Sequence, residues 1–211
     1  MSADYERAKQ YALGRLAGEL SPHLAYHSLR HTRDDVLPAV LRLAQASGVN
    51  GDALLCLATA ALFHDIGFLV DYDDHEAHGI TVARAALPTF GYSTAQLDVI
   101  AELIAATRMP QRPTSPLAEL LCDADLDVLG RADFWDVNRL LLAETEHHRG
   151  RIIGEAEWLA TQLRFLEEHV YFSGVARILR DTGKVQNVSL MRHALHGLNG
   201  SGVHRHGVHD G

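Results

Sequence analysis

Between residues 4 and 196 the apolar side chains recur at the three- and four-residue spacing of a helix face, and no run alternates as a half-buried strand does. That periodicity leaves one fold class open, an all-α chain, and the start and stop signals divide it. A first helix is expected over about 4–20, ended by Ser21-Pro22. A second covers about 27–46, and a third runs from the N-cap Asp52 to Asp65, with Gly67 as a stop. A fourth is expected over about 74–86. Ser93 and Gln96 form a capping box that opens a helix to about 107, and Pro116 sits in the first turn of another that reaches about 129. Further helices follow at about 134–148, 155–180 and 185–196. Internal repeats are absent. The expectation is a single all-α bundle over 1–196, its motif-bearing core at about 26–130 and its C-terminal helices at 134–196, the last two closing over it, with a Gly/His-rich tail, 197–211, read as disordered.

Composition narrows the function classes. A formal net charge of -8 argues against wholesale binding to a nucleic-acid backbone. The long apolar stretches are interrupted by charged residues, so no membrane span is expected, and the charged N-terminus lacks a signal-peptide core. A cytoplasmic location is the expectation. Cys56 and Cys122 lie in helical patterns and read as buried free thiols. Of fourteen histidines, His204, His206 and His209 fall in the tail and read as incidental.

The stretch ALFHDIGF, residues 61–68, ends an apolar run with two ionisable groups. At 100° per residue Leu54, Ala58, Ala61 and Leu62 share a face; Asp65 falls near its centre and His64 on its flank. The helix from Pro116 repeats the anomaly: Asp125 lies on the face of Leu117, Leu121, Ala124 and Val128, while Asp123 and Asp127 are expected to point elsewhere. Two inward carboxylates would repel in a low-dielectric core, and a cation between them removes that cost. A divalent metal fits, since His64 offers an imidazole beside the carboxylate. YHSLRH supplies His27 and His31, but a helix continuous from His27 turns His31 away from its apolar face. Only a later start, or a bend at Pro38, would bring it in.

The order YHSLRH, FHD, HE, DAD resembles the HD-domain superfamily of metal-dependent phosphohydrolases, a helical bundle around a metal, over about residues 26–130. The family pattern of a His, a His-Asp pair and a distant Asp matches His31, His64 with Asp65, and Asp125. The resemblance implies one divalent ion held by these four, with Mn, Co, Ni, Fe, Mg and Zn all compatible. It implies hydrolysis of a phosphoester on a small molecule, a nucleotide being the narrower expectation from analogy alone. Relatives carry a Glu where Glu76 stands, which implies a general base there, with Asp71 the runner-up. Arg30, Arg108, Arg177, Arg180 and Lys184 are the candidate phosphate cations.

Members with two metals carry further histidines. Here Thr107 stands where one of these would be, His75 or His78 could supply another ligand with no evident partner, and His147 and His148 come in the wrong order. The alternatives are therefore a non-catalytic metal- or nucleotide-binding sensor and, behind it, a di-iron oxygenase of the same fold.

Overall fold

The apolar helix that ends in His64 is the hub around which the others pack. In the computed structural model, which describes residues 3–201, it is α3 (Gly51–Phe63), and Cys56 to Phe63 are all buried. Its length of Leu, Ala and Phe with no charge after Asp52 leaves no polar face, so neighbours must cover every side. α1 (Tyr5–Glu19), α2 (Leu37–Ala46), α5 (Thr94–Ala106) and α6 (Pro116–Asp125) do so. By composition the stretch 51–69 is apolar enough to cross a membrane, contrary to expectation, but 72% of it is buried inside the bundle. α4 (His75–Ala86), α7 (Phe134–Arg149), α8 (Glu155–Glu168) and α9 (Gly174–Ser201) complete the set. No strand occurs among the described residues. Both cysteines are free and buried, and burial pushes the Cys56 thiol up to about 11.

Three local features position the site. The second helix begins at Leu29 and not at His27, and it winds as a π-helix over His31–Val36, the Leu37 N–H reaching back to the Thr32 carbonyl. Pro38 has no N–H to give to residue 34, so the ordinary ladder is already broken there. The wider turn defeats a wheel drawn at 100° per residue and brings His31 inside, 4% exposed.

Next, α3 stops at Phe63 and the chain turns through His64 and Asp65 into a 3₁₀ turn, Ile66–Leu69. Gly67 is more than a stop. A Cβ there would lie 1.8 Å from the His75 carbonyl oxygen, and one at Gly79 would lie 3.0 Å from that of Phe63. The two glycines let α4 lie directly on this turn.

The third feature corrects the expected break near 181–184. The chain opens at residues 169–173 instead, and α9 runs on through Gly183 to Ser201, taking in positions expected to belong to the tail. The last ten residues, with His204, His206 and His209, lie outside the described residues. Gly183 permits a crossing: a Cβ on it would come 2.1 Å from the Gly130 carbonyl oxygen, and one on Gly130 would come 2.4 Å from that of Arg180. The break is capped from α6, where the Asp123 carboxylate accepts from the Phe172 and Ser173 N–H groups at 2.7 and 2.8 Å. Asp127, in the 3₁₀ turn Asp127–Gly130, accepts from Arg180 Nε and Nη2 at 2.7 and 2.8 Å and from Arg42 at 2.9 Å. Asp123 and Asp127 thus do not face solvent: they are 1% and 3% exposed and serve as structural anchors on sides of the turn away from Asp125.

Candidate metal centre

Ligand atoms of His31, His64 and Asp65 lie within 4.8 Å of one another, and all three residues are buried. Asp125 Oδ1 lies 3.2 Å from His31 Nε2 and 3.5 Å from His64 Nε2. Asp65 Oδ2 lies 3.2 Å from His64 Nε2 and 3.7 Å from His31 Nε2. The π-turn, the end of α3 and the end of α6 therefore converge on one point. The fit to a cation rests on two orphans: His64 Nε2 and Asp65 Oδ2 are buried and have no hydrogen-bond partner. His64 Nδ1 donates to the Ala61 carbonyl at 2.8 Å, which fixes the tautomer and leaves an Nε2 lone pair pointing inward. Gln111 Nε2 donates to Asp125 Oδ2 at 3.2 Å and aims its other oxygen at the imidazoles.

The electrostatics follow from these distances. Burial is the largest influence on Asp65 and pushes its carboxyl up, but the His64, His27 and His31 imidazoles together hold it well below the usual carboxylate range. Asp125 is likewise raised by burial and, on balance, held low by His31 and His64. Burial lowers His64, and the Asp65 and Asp125 carboxylates more than reverse that, raising it well above its ordinary value. In the protein alone the Asp65 and Asp125 carboxylates are offset only by the imidazoles beside them. A divalent ion would neutralise both carboxylates and use the orphaned lone pairs as well.

Glu76, the proposed base, is 7% exposed at the start of α4. His75 Nε2 lies 3.4 Å from Glu76 Oε1 and 3.8 Å from Asp65 Oδ1, and its ring stacks on Phe68 at 3.9 Å. Asp71 is exposed and accepts from the Asp73 N–H at 3.1 Å. The candidate phosphate cations are elsewhere. Arg180 serves Asp127, Arg177 Nη1 donates to the Tyr171 and Phe172 carbonyls at 2.8 Å each, Lys184 Nζ donates to the His169 carbonyl, and Arg108 pairs with Asp74. Like these four, Arg30, exposed just ahead of the π-helix, is not among the described residues that line the cavity beside Asp125.

Sequence reasoning missed a pair that is present. Glu144 on α7, 1% exposed, accepts from the Tyr26 and His27 N–H groups at 2.8 and 3.0 Å and pairs with His27 Nδ1. Burial lowers His27 and the Glu144 carboxylate overcomes it, raising the imidazole above its ordinary value. With Nδ1 committed, Nε2 is the nitrogen left for the cavity that His27 lines. Nothing in the local sequence joins positions 117 residues apart. The only signal was an acid inside a largely polar helix.

The arrangement is a buried N/O donor set at the junction of three helix ends, with Glu76 beside it next to His75, whose ring lies 6.1 Å from that of His27. The family model for the HD domain matches residues 17–127, a little over half of the chain. The chain belongs to the HD-domain superfamily of metal-dependent phosphohydrolases. No curated protein and no solved structure matches it.

Proposed function

We propose that this chain hydrolyses the phosphoester of a small phosphorylated molecule with one divalent ion held by His31, His64, Asp65 and Asp125. The observation that carries the reading is the pair of buried, unpartnered donors, His64 Nε2 and Asp65 Oδ2, aimed at the same point as His31 and Asp125. When bound, such an ion polarises a phosphoryl oxygen and lowers the pKa of water. Glu76 accepts the proton of the attacking water, oriented by His75 Nε2 at 3.4 Å. As the ester P–O bond breaks, its electron pair stays with the leaving oxygen. His27, held by Glu144 and raised by it, gives that oxygen a proton from Nε2. Among the described residues neither lysine nor arginine lines the cavity, which leaves His27, raised above its ordinary value, as the basic group toward phosphate.

Full-length protein loaded in turn with Mn, Co, Ni, Fe, Mg and Zn, and screened against nucleotides and sugar phosphates, should release phosphate with at least one pairing. Glu76→Gln should lose that release and keep its metal. Silence with every ion would count against hydrolysis, and unchanged ligand binding in Glu76→Gln would then favour the sensor.

A further inference from the structure

A relay of amides lies in the wall of the cavity that opens beside Asp125. Trp158 Nε1 donates to Asn138 Oδ1 at 2.7 Å, and Asn138 Nδ2 donates to Gln162 Oε1 at 2.7 Å. An indole N–H can only donate, so it fixes which end of the Asn138 amide is oxygen. That in turn fixes Gln162, whose Oε1 is taken. The sequence of orientations ends on Gln162 Nε2, a two-proton donor with no partner among the described residues, on a side chain 8% exposed that lines the cavity. This amide is not sealed in the core but opens on the cavity, so the relay presents a donor of fixed orientation to whatever enters.

The rest of the wall is chiefly apolar, with Phe134, Val137, Leu141 and Phe165 among its members. The volume is about 260 Å³, below the range of about 300–1,000 Å³ that takes drug-sized ligands. It suits one compact ring system and excludes a long chain. Asp125 and His27 stand in the same wall, so a group lodged there has its far end at the carboxylate cluster.

We infer that this cavity selects the substrate: it takes a compact, largely apolar ring bearing a carbonyl-type acceptor, with Gln162 Nε2 as the group that recognises the acceptor. This rests on the phosphohydrolase reading and adds the substrate class to it. Gln162 and Asn138 are specificity residues and take no part in bond breaking.

The test compares 4-acetylphenyl phosphate with 4-isopropylphenyl phosphate on the full-length, Mn-loaded protein. The ratio of their kcat/KM values is measured in wild type, Gln162→Leu and Asn138→Asp. The intrinsic reactivity of each ester cancels in the comparison between proteins. Gln162→Leu should lower the preference for the acetyl ester roughly 5- to 10-fold, the scale of one hydrogen bond to a neutral acceptor, while cleavage of the isopropyl ester is held or improved. In Asn138→Asp the new acceptor faces Gln162 and turns its amide over, so the acetyl preference should fall with isopropyl hydrolysis retained. An unchanged ratio in both variants overturns the inference and leaves the hydrolase reading intact. If wild type cleaves neither ester, binding of 4-hydroxyacetophenone is followed by saturation-transfer NMR. Binding that disappears in Gln162→Leu supports the pocket although hydrolysis has failed; no binding to wild type overturns the pocket as well.

Discussion

Asp65 shows how one residue can be both a liability and a purpose. It is 3% exposed, its Oδ2 has no hydrogen bond, and two imidazoles face it. Asp65→Asn keeps the shape and removes the charge that a cation needs. It should melt near the chelated wild type and respond little to added metal, in thermal scans with and without a chelator. Asp123→Ala separates the neighbouring acids by role. It should keep metal, read by elemental analysis, yet lose roughly 2–4 kcal/mol in urea titration, because a part-buried and a buried N–H group at the head of α9 lose a charged acceptor. His169 is a liability of another kind. Neither ring nitrogen has a partner, and burial, with Lys184 second, lowers its pKa to about 4. Between about pH 6.5 and 4 the unfolded chain takes up a proton that the folded one refuses, so stability falls as pH falls through that window. Denaturation curves at pH 7 and 5 should show a smaller loss in His169→Phe than in wild type.

Among the elements, the glycines divide into those that fill a need and those that do not. Gly67 and Gly183 each sit where a Cβ would overlap a backbone carbonyl, at 1.8 and 2.1 Å. Gly67→Ala should cost at least the 1–3 kcal/mol roughly typical of overpacking and should shift α4, with His75 and Glu76, off the turn. Gly14, inside α1, has nothing within 4 Å of such a Cβ. Gly14→Ala should therefore raise stability by roughly 0.5–1 kcal/mol, read from the urea midpoint. The same contrast explains what was legible. The capping box Ser93–Gln96 and Pro116 in the first turn of α6 stand as expected, since these are local chemistry, whereas α3 has its N-cap at Asn50 and Asp52 falls inside its first turn. The helix face of Asp125 was legible for the same reason. His31 was not, because a π-turn changes the angle between side chains and only the surrounding bundle selects it. Gly183 was misjudged as a break because the chain that it must clear, at Gly130, lies 53 residues away in sequence.

For the molecule as a whole, the proposed ion would join three segments that are far apart in the chain, at His31, His64–Asp65 and Asp125. Complete chelation should thus lower the melting temperature of the entire bundle in one cooperative step, and a melting curve unmoved by confirmed metal removal would contradict a shared ion. The helical class could be seen in the sequence from periodicity, and the order of the motifs from their resemblance to the HD-domain family. That C-terminal helices close over the core was expected; the contacts by which α7 and α8 do so were not legible, since Glu144, Asn138 and Gln162 act only through partners brought near by folding. The anchors on α6 and its turn carry a further consequence. The stretch 17–127 that the family shares ends at Asp127 and contains every proposed ligand. Cut out by itself, it would keep Asp123 and Asp127 but lose the Phe172 and Ser173 amides and Arg180 that satisfy them, and its Tyr26–His27 segment would lose Glu144. Asp127 would keep only Arg42 and Asp123 neither amide, and a buried charge stripped of its partners is strongly destabilising. Expressed alone, the matched segment should stay unstructured in circular dichroism even with metal present: the stretch that the family model spans is smaller than what can stand by itself.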